Sequence, residues 1–291
     1  MTVKDSLTQG KRAKVRVPAR ANAVQKMRCV LNDYRVKTVC QEAVCPNVAE
    51  CWGALTATFM LLGDVCTRSC RFCAVKSGKK GQELDPDEPR KIAAAAHDLG
   101  LSYVVLTSVD RDDLPDGGAA HFAAVVQAIN ELSLDIRVEV LVPDFSGREE
   151  SLSIVAASTV EVIGHNVETV RRLTPLVRTQ RADYDRSLSV LSRFRSLAPA
   201  ALIKSSLILG LGEERSEVVK TLHDLRDAGV DIVTLGQYLQ PTARQIPVTR
   251  YLSLGEFTEL EEAARAIGFR SVVAGPLVRS SYRACKLTEQ L

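Results

Sequence analysis

Three cysteines stand close together in the segment CTRSCRFC, residues 66–73. On a single loop, Cys66, Cys70 and Cys73 can bind three corners of a cubane iron–sulfur cluster and leave the fourth iron without a protein ligand. An open iron is of little use for simple electron transfer, but it can coordinate a substrate or a cofactor. The alternative is a zinc site that a distant residue such as His165 completes.

A second group of cysteines lies in TVCQEAVCPNVAECW, with Cys40, Cys45 and Cys51 at spacings of four and five residues. Structural thiols or a zinc knuckle are the alternatives for such a group. Beside the first triad, the second favours an auxiliary iron–sulfur cluster, again with only three sulfur ligands. The segment VRSSYRAC near the C-terminus offers the candidates for a fourth ligand, namely Ser280, Ser281, Tyr282 and Cys285.

Composition and charge limit the class of protein. Six of the eight cysteines fall within 34 residues of a 291-residue chain with no export signal, which argues for metal rather than disulfides and predicts a cytoplasmic protein. No apolar run approaches the roughly 18 residues of a membrane span. The net charge of +3 comes from a basic arm in residues 1–28, which is either a solvated tail or an electrostatic arm for an acidic partner. Sparse aromatic residues argue against nucleic acid as that partner.

The elements that must position these cysteines alternate between short apolar runs and amphipathic stretches. Six runs are predicted strands, at 58–63, 103–107, 136–142, 160–164, 201–210 and 231–236. Continuous apolar strands separated by helices are typical of a parallel sheet that is covered on both faces. We therefore predict an α/β protein, a partial (β/α)6 TIM-type barrel whose N- and C-terminal extensions close the mouth. The predicted divisions are an extension at 1–55, the barrel at 56–270 and a tail at 271–291.

Function in such a barrel lies just after the carboxyl end of each strand. The first predicted strand leads into the cysteines of residues 66–73, and the next five lead into TSVDRDDL, PDFSG, HNVET, GLGEE and GQYLQP. All six ends are polar or rich in glycine. This agreement strengthens the prediction that the first triad belongs to an active site.

A C-x3-C-x2-C loop after the first strand of a six-stranded barrel resembles the radical S-adenosylmethionine superfamily. The resemblance implies that the amino and carboxylate groups of S-adenosylmethionine occupy the open iron. It further implies that an electron from the cluster cleaves the cofactor to a 5′-deoxyadenosyl radical, which abstracts hydrogen from an unactivated carbon.

A closer resemblance covers about Thr38 to Ala284. The motifs CxEAxCPNxxECW, CTRxCxFC, TSVDRDDLxDGGAxHF, GQYLQP and GPxVRSSYxA, in this order, are similar to those of the lipoyl synthase family. The resemblance implies an auxiliary cluster on Cys40, Cys45, Cys51 and Ser281. It implies a sulfurtransferase that inserts two sulfur atoms, at C6 and C8 of an octanoyl chain on a carrier lysine, and takes them from the auxiliary cluster.

The cofactors and partners that follow are also those of the family. They are two 4Fe–4S clusters and S-adenosylmethionine, an octanoylated carrier domain of the glycine cleavage H protein or 2-oxoacid dehydrogenase E2 type, a low-potential donor such as ferredoxin or flavodoxin, and an iron–sulfur carrier that rebuilds the cluster. Neither nucleic acid nor a membrane is expected as a partner. Two alternatives are open. One is another sulfur-inserting radical enzyme, resembling biotin synthase, and the other is a non-catalytic iron–sulfur or zinc protein.

The superfamily resemblance also suggests contacts to S-adenosylmethionine. Thr107, Ser108 and Asp110 are expected near its amino group, Asn166 and Glu168 near its ribose, and Arg178 near its carboxylate, while Lys204 could serve the carboxylate or the substrate. Each of these side chains could instead have a structural role. Gly164 departs from the family pattern, where asparagine is more usual, and Cys29 and Cys285 are additional thiols. Trp52 is expected to pack beside the auxiliary cluster.

Overall fold

A computed structural model describes residues 21–288, except residues 44, 46, 54, 55 and 134. Its strands are, in chain order, β1 (Lys37–Thr38), β2 (Thr58–Leu61), β3 (Val65–Cys66), β4 (Lys76–Ser77), β5 (Tyr103–Ser108), β6 (Arg137–Leu141), β7 (Val162–Gly164), β8 (Leu202–Leu209), β9 (Ile232–Gln237) and β10 (Ser271–Gly275). Eight of them form one sheet in the order β1-β2-β5-β6-β7-β8-β9-β10, and β3 pairs with β4. Within the sheet only β1 runs antiparallel to its neighbour.

The helices alternate with the strands, as a barrel of βα units requires. They are α1 (Ala21–Asp33), α2 (Val39–Glu42), α3 (Val48–Gly53), α4 (Glu88–Leu99), α5 (Ala119–Leu132), α6 (Glu149–Ala156), α7 (Thr174–Val177), α8 (Tyr184–Leu197), α9 (Arg215–Asp227), α10 (Leu254–Ile267) and α11 (Ala284–Thr288). Short 3₁₀ segments occupy Phe145–Gly147 and Arg171–Leu173. None of the described helices is long and apolar enough to cross a membrane.

The strands are buried because helices cover one face of the sheet and other parts of the chain cover the second. Every residue of β2 and of β9 is buried. Helix α5 shows the matching helical pattern, since it buries Phe122, Val125 and Ile129 on one side. Parallel strands that are covered on both faces have continuous apolar sequences, and for this reason the strands can be predicted from the sequence.

The predicted fold class is confirmed, and all six predicted strands are present within two residues of their predicted bounds. The prediction missed a seventh parallel strand, β10, which pairs with β9. Its sequence SVVAG is short and only partly buried, so it lacks the strong apolar signal of the others. The barrel sheet thus continues beyond residue 270, into the predicted tail. Residues 1–20 of the basic arm lie outside the described part of the chain.

The C-terminal tail lies on the concave side of the sheet. Tyr103 and Val105 of β5 pack with Ala284 in an apolar cluster of their own, whereas the alternate residues Val104 and Leu106 belong to the main core. Since side chains alternate across a strand, Tyr103 and Val105 face the barrel interior. The tail therefore fills part of that interior between the carboxyl end of β9 and the amino end of β6.

One glycine allows the tail to pass so close to the sheet. A Cβ atom at Gly236 of β9 would lie 2.2 Å from the carbonyl oxygen of Val278. Arg279 then donates a hydrogen bond of 3.2 Å to the carbonyl of Gln237. At the other end of the tail, Thr288 accepts one of 3.2 Å from Arg137 of β6. The tail is thus held to the sheet at two strands, β9 and β6.

Candidate active site

The first cysteine triad lies just beyond the carboxyl end of β2, where the sequence predicts it. Cys66 ends β3, and Cys73 donates its backbone N–H to the Cys70 carbonyl at 3.1 Å, which forms a tight turn. Burial raises the pKa of the Cys66 thiol to about 12 and that of Cys73 to about 11, and the neighbouring cysteines contribute to the increase. Buried thiols that raise each other's pKa lie close together. A positively charged iron centre would favour their thiolate forms.

A buried arginine fixes the loop that bears this triad. Arg68 lies between Cys66 and Cys70, and only 3% of its side chain is exposed. Its guanidinium group donates two hydrogen bonds to Asp112, at 2.8 and 2.9 Å, and two to Asp144, at 2.6 and 3.1 Å.

A third carboxylate completes the surroundings of Arg68. Asp110 lies 3.3 Å from its guanidinium group. Asp110 and Asp112 follow β5 and Asp144 follows β6, so the arginine ties the cysteine loop to two strand ends. Burial would raise the pKa of Asp144, but the hydrogen bonds from Arg68 lower it to about 2.

Three of the predicted cofactor contacts converge on the first triad. Asp110, Glu168 and Arg178 each act electrostatically on Cys70, the acids raising and the arginine lowering its pKa, although burial has the largest effect. Asn166 donates a 3.1 Å hydrogen bond to Glu168. The backbone of Glu168 has a φ of +68°, in the left-handed region that non-glycine residues rarely adopt. These strand-end residues therefore form one polar pocket wall around Cys70.

His165 supports this wall and does not point to the cysteines. Its two ring nitrogens bond to the Val142 carbonyl at 2.9 Å and to Ser187 Oγ at 3.0 Å, and Arg178 donates to the same Ser187 oxygen at 2.9 Å. Burial and the positive charge of Arg178 lower the pKa of His165 to about 4. The ring is therefore neutral, donates from Nδ1 and accepts the serine proton at Nε2. His165 positions Arg178, and both of its nitrogens are already engaged.

Four buried polar atoms have no hydrogen-bonding partner among the described residues, and two of them, Ser108 Oγ and Arg178 Nε, belong to the predicted cofactor contacts. Buried polar atoms in native proteins are nearly always paired, so these two indicate a place for a polar ligand. Thr107, in contrast, donates its hydroxyl to the Leu141 carbonyl at 3.0 Å. The pocket wall fits a ligand that bears amino and carboxylate groups beside a cluster on the three cysteines.

The second triad forms at the opposite, amino-terminal end of β2. Cys40 lies in α2, Cys51 in α3 and Cys45 between them. Burial raises the pKa of Cys51 to about 12, and Cys40 and Cys45 add to the increase. The three thiols thus lie together, as the sequence predicts.

The tail brings Ser281 to the second triad through a shared residue, Thr58. The Thr58 hydroxyl donates to Ser281 Oγ at 2.9 Å, and the Thr58 backbone lies close enough to the Cys40 sulfur to lower its pKa against the larger effect of burial. Arg279, two residues before Ser281, is close enough for the charge of Cys45 to affect its pKa. Cys285 instead packs against Tyr103 and Val105. Of the candidate fourth ligands, Ser281 is thus linked to the surroundings of Cys40 through Thr58, and Tyr282 is bonded to Glu50, the residue next to Cys51.

A carboxylate holds the tail and the triad segment together. Glu50, beside Cys51, accepts hydrogen bonds from Tyr282 at 2.9 Å and from Arg283 at 2.7 and 3.2 Å. Asn47 adds a 2.6 Å bond to the Leu277 carbonyl. The second site is therefore assembled from two segments that lie more than 220 residues apart in the chain.

The surroundings of the second triad also fit a cluster. Trp52 is 1% exposed and lies beside Cys40, whose pKa it lowers slightly against the larger effect of burial. Its indole Nε1 nevertheless makes no hydrogen bond of normal geometry within the described residues. A sulfide of a bound cluster is an acceptor that would satisfy it. The predicted packing of Trp52 beside this site agrees with the structure.

In the part of the chain that the structure describes, no three His, Cys, Asp or Glu side chains are already arranged around one metal ion. A cubane cluster does not require this arrangement, because each thiolate binds a different iron. Cys29 lies elsewhere, on the exposed side of α1. Arg68 and Glu50 have no role in the sequence-based prediction. Each is a charged residue inside a cysteine motif, but its partners are far away in the sequence.

Comparison with known proteins shows the superfamily to which the chain belongs. The model of the radical SAM superfamily matches residues 60–236, from β2 through most of β9. Crystal structures of HydG, a maturase of the [FeFe]-hydrogenase, and of methylornithine synthase share the fold, with TM-scores of 0.61 and 0.55 at 13% and 12% identity. The alignment with HydG covers 99% of this chain and 69% of HydG. The alignment with methylornithine synthase covers 93% of this chain and 78% of that protein. The chain is therefore a radical SAM protein.

Curated relatives identify one family within the radical SAM superfamily. The lipoyl synthase of Methanocella arvoryzae is 54% identical over 93% of this chain and 91% of its own length. The lipoyl synthase of Thermus thermophilus is 53% identical over 89% of this chain and 80% of its own length. Similarity of this extent shows that the chain belongs to the lipoyl synthase family, as the sequence motifs predict.

Proposed function

We propose that this protein inserts two sulfur atoms, at C6 and C8 of an octanoyl chain that is amide-linked to a lysine of a lipoyl carrier domain. Cys66, Cys70 and Cys73 would hold one 4Fe–4S cluster whose fourth iron binds S-adenosylmethionine. Cys40, Cys45, Cys51 and Ser281 would hold a second 4Fe–4S cluster, which is consumed as the sulfur source. When bound, the first cluster and S-adenosylmethionine supply a hydrogen-abstracting carbon radical.

The observation that carries this proposal is the hydrogen bond between Thr58 and Ser281. Thr58 also contacts Cys40, so one residue links the N-terminal triad to the C-terminal serine. A serine oxygen is a harder ligand for iron than a thiolate and is more easily protonated. It would give the second cluster one labile corner, which suits a cluster that must release sulfur.

The remaining residues of the site have roles in binding and orientation. The unpartnered Arg178 Nε and Ser108 Oγ are suited to the carboxylate and amino groups of S-adenosylmethionine. Asn166 and Glu168, bonded to each other, are suited to ribose hydroxyls. Arg68 would hold the cysteine loop in register with these residues through its three carboxylates.

Two further partners belong to the proposal. A low-potential reductant such as ferredoxin or flavodoxin would supply the electron, and an iron–sulfur carrier would rebuild the second cluster. The carrier domain is of the glycine cleavage H protein or 2-oxoacid dehydrogenase E2 type. The cytoplasmic location stays a prediction.

The deciding experiment is mass spectrometry of an octanoyl-lysine peptide after anaerobic incubation with the reconstituted protein, S-adenosylmethionine and dithionite. We expect a product that carries two sulfur atoms, together with 5′-deoxyadenosine. No incorporation of sulfur by a protein with both clusters would refute the proposal.

Metal analysis separates the proposal from a non-catalytic metal protein. Two cubanes require about eight iron atoms and eight sulfides per chain. About four iron atoms per chain would leave the proposed second cluster without support. Zinc with no sulfide would exclude radical chemistry.

A further inference from the structure

A buried ion pair lies inside the barrel, apart from both cysteine triads. Lys204 of β8 donates to Glu139 of β6 at 2.8 and 3.0 Å, and Tyr103 of β5 donates its hydroxyl to the same carboxylate at 2.8 Å. The side chains of Lys204 and Glu139 are only 3% and 2% exposed. We call these three residues the polar floor. The proposed reaction gives none of them a role.

The polar floor faces the interior of the barrel. Tyr103 belongs to the interior cluster on β5, and Glu139 pairs in register with Val105 of the same cluster. Strand β7 lies between β6 and β8, so the Lys204 side chain must cross β7 to reach Glu139. Beside Lys204 in the register stands Gly164, which has no side chain to obstruct that crossing.

The tail closes the barrel beneath the polar floor. Ala284 is fully buried against Tyr103 and Val105. On β6, the guanidinium of Arg137 lies 5.1 Å from the centre of the Tyr103 ring and also bonds to Thr288. The interior is therefore blocked toward the amino ends of β5 and β6.

The polar floor lies in the same layer of the sheet as the second cysteine triad. Thr58, which contacts Ser281 and Cys40, pairs in register with Val105, and Val105 pairs with Glu139. The first triad lies at the opposite, carboxyl end of the strands. A chain that enters from the first triad and reaches the layer of Ser281 would therefore meet the polar floor.

We infer that the polar floor sets the length of the acyl chain that the enzyme accepts. An aliphatic chain cannot replace the hydrogen bonds of Glu139 and Lys204, and a buried charge that loses its partner is strongly destabilised. A terminal methyl group can rest against the floor, but a longer chain must disrupt it. The end of an eight-carbon chain would thus be held in the layer of the sulfur source. This inference rests on the proposed function.

The test measures binding as well as turnover. Dissociation constants of hexanoyl-, octanoyl- and decanoyl-lysine peptides are measured by fluorescence anisotropy on the reconstituted enzyme with S-adenosylmethionine. We expect the wild type to favour octanoyl over decanoyl. Failure of the wild type to bind or thiolate the octanoyl peptide would overturn the proposed function, and the inference with it.

The variant Tyr103→Phe/Glu139→Val/Lys204→Ala removes the charges together and creates space. The affinity for decanoyl relative to octanoyl should increase about fifteenfold, the factor for two further buried methylene groups at about 0.8 kcal/mol each. The matched control, Arg195→Met/Asp231→Leu, removes an ion pair between α8 and the sheet, outside the interior. Its ratio should equal that of the wild type.

A second variant decides the question if the triple variant does not fold. Leu141→Trp leaves the polar floor in place and adds volume above it, because Leu141 lies on the same face of β6 as Glu139, two residues closer to the carboxyl end of the strand. Preference should shift from octanoyl toward hexanoyl by about fifteenfold, since two buried methylenes are lost from contact. A folded triple variant with the wild-type ratio, or a Leu141→Trp variant with an unchanged hexanoyl preference, would overturn the inference while sulfur insertion by the wild type leaves the proposed function intact.

Discussion

The two cysteine triads of this protein are built in opposite ways. The first occupies one short segment, residues 66–73, at the carboxyl end of the strands. The second takes its cysteines from residues 40–51 and its predicted fourth ligand, Ser281, from the tail. The first triad therefore lies on a single loop, whereas the proposed second site requires contact between residues 40–51 and the tail.

The ion pairs beside the two triads also differ, since those at the first triad are buried and the one at the second is partly exposed. Arg68, 3% exposed, binds three carboxylates behind the first triad. Glu50 links the second triad to the tail through Arg283, whose side chain is 56% exposed. Exposed ion pairs contribute about 0–1 kcal/mol, while loss of one partner of a buried pair costs about 3–5 kcal/mol. The difference suits a permanent cluster at the first site and a consumable one at the second.

The largest effect is expected from Cys70→Ala. Without the first cluster nothing can reduce S-adenosylmethionine, so both 5′-deoxyadenosine and thiolated product should be lost. The two products are measured by liquid chromatography and mass spectrometry. Cys29→Ala, at an exposed thiol, is the control and should behave as the wild type. Continued formation of 5′-deoxyadenosine by a pure Cys70→Ala preparation would show that the assignment is wrong.

Cys45→Ala tests whether the sites are separable. The sulfur source should be lost while the first site remains, so 5′-deoxyadenosine should form without thiolated product. The same two measurements apply, with the iron content expected to fall to about four per chain. Normal yields of thiolated product would mean that the sulfur has another origin.

Arg68→Met tests the support of the first site. A displacement of about 1 Å in a reacting group can lower a rate about a hundredfold, so we expect a loss of this order in 5′-deoxyadenosine formation. Electron paramagnetic resonance of the reduced cluster should change on addition of S-adenosylmethionine in the wild type but less in the variant. Arg111→Met is the matched control, because Arg111 is equally buried and pairs with Asp113 beyond the cysteine loop. Equal losses in both variants would indicate general destabilisation only.

Ser281→Ala tests the fourth ligand of the second site. Sulfur transfer should fall while 5′-deoxyadenosine formation persists, because the corner of the cluster is left to water. Ser281→Cys should retain the cluster but release sulfur slowly, since thiolate binds iron more firmly. Ser280→Ala is the control, and a stronger effect at Ser280 than at Ser281 would reassign the ligand.

The smallest effect is expected from Gly236→Ala. The new Cβ would meet the Val278 carbonyl at 2.2 Å and push the tail away, at a cost of about 1–3 kcal/mol for overpacking. More 5′-deoxyadenosine should then form per sulfur inserted, as Ser281 is displaced. Gly255→Ala adds the same methyl group where the nearest atom lies 3.8 Å away, and should leave this ratio unchanged. An unchanged ratio in Gly236→Ala would show that the tail tolerates the shift.

The sequence predicts the strands and the cysteine groups because both depend on local patterns. Strand β2 and Cys66, Cys70 and Cys73 are recognised from neighbouring residues alone. The role of Arg68 could not be predicted in this way, because Asp144 lies 76 residues further along the chain and only the fold brings the two together. The prediction missed strand β10 for the same reason, since its pairing with the distant strand β9 compensates for a weak local pattern.

The division of the second site between distant segments has a consequence for the synthesis of the protein. Ser281 is made 230 residues after Cys51, and at about 5–20 residues per second this delay is on the order of ten to fifty seconds. For most of that time the N-terminal cysteines exist without the proposed serine ligand, while residues 66–73 and the supporting Asp144 are already made. If the proposed ligands are correct, a nascent chain could bind the first cluster on the ribosome, whereas the second site would be complete only when the tail has been translated and has folded back onto Thr58.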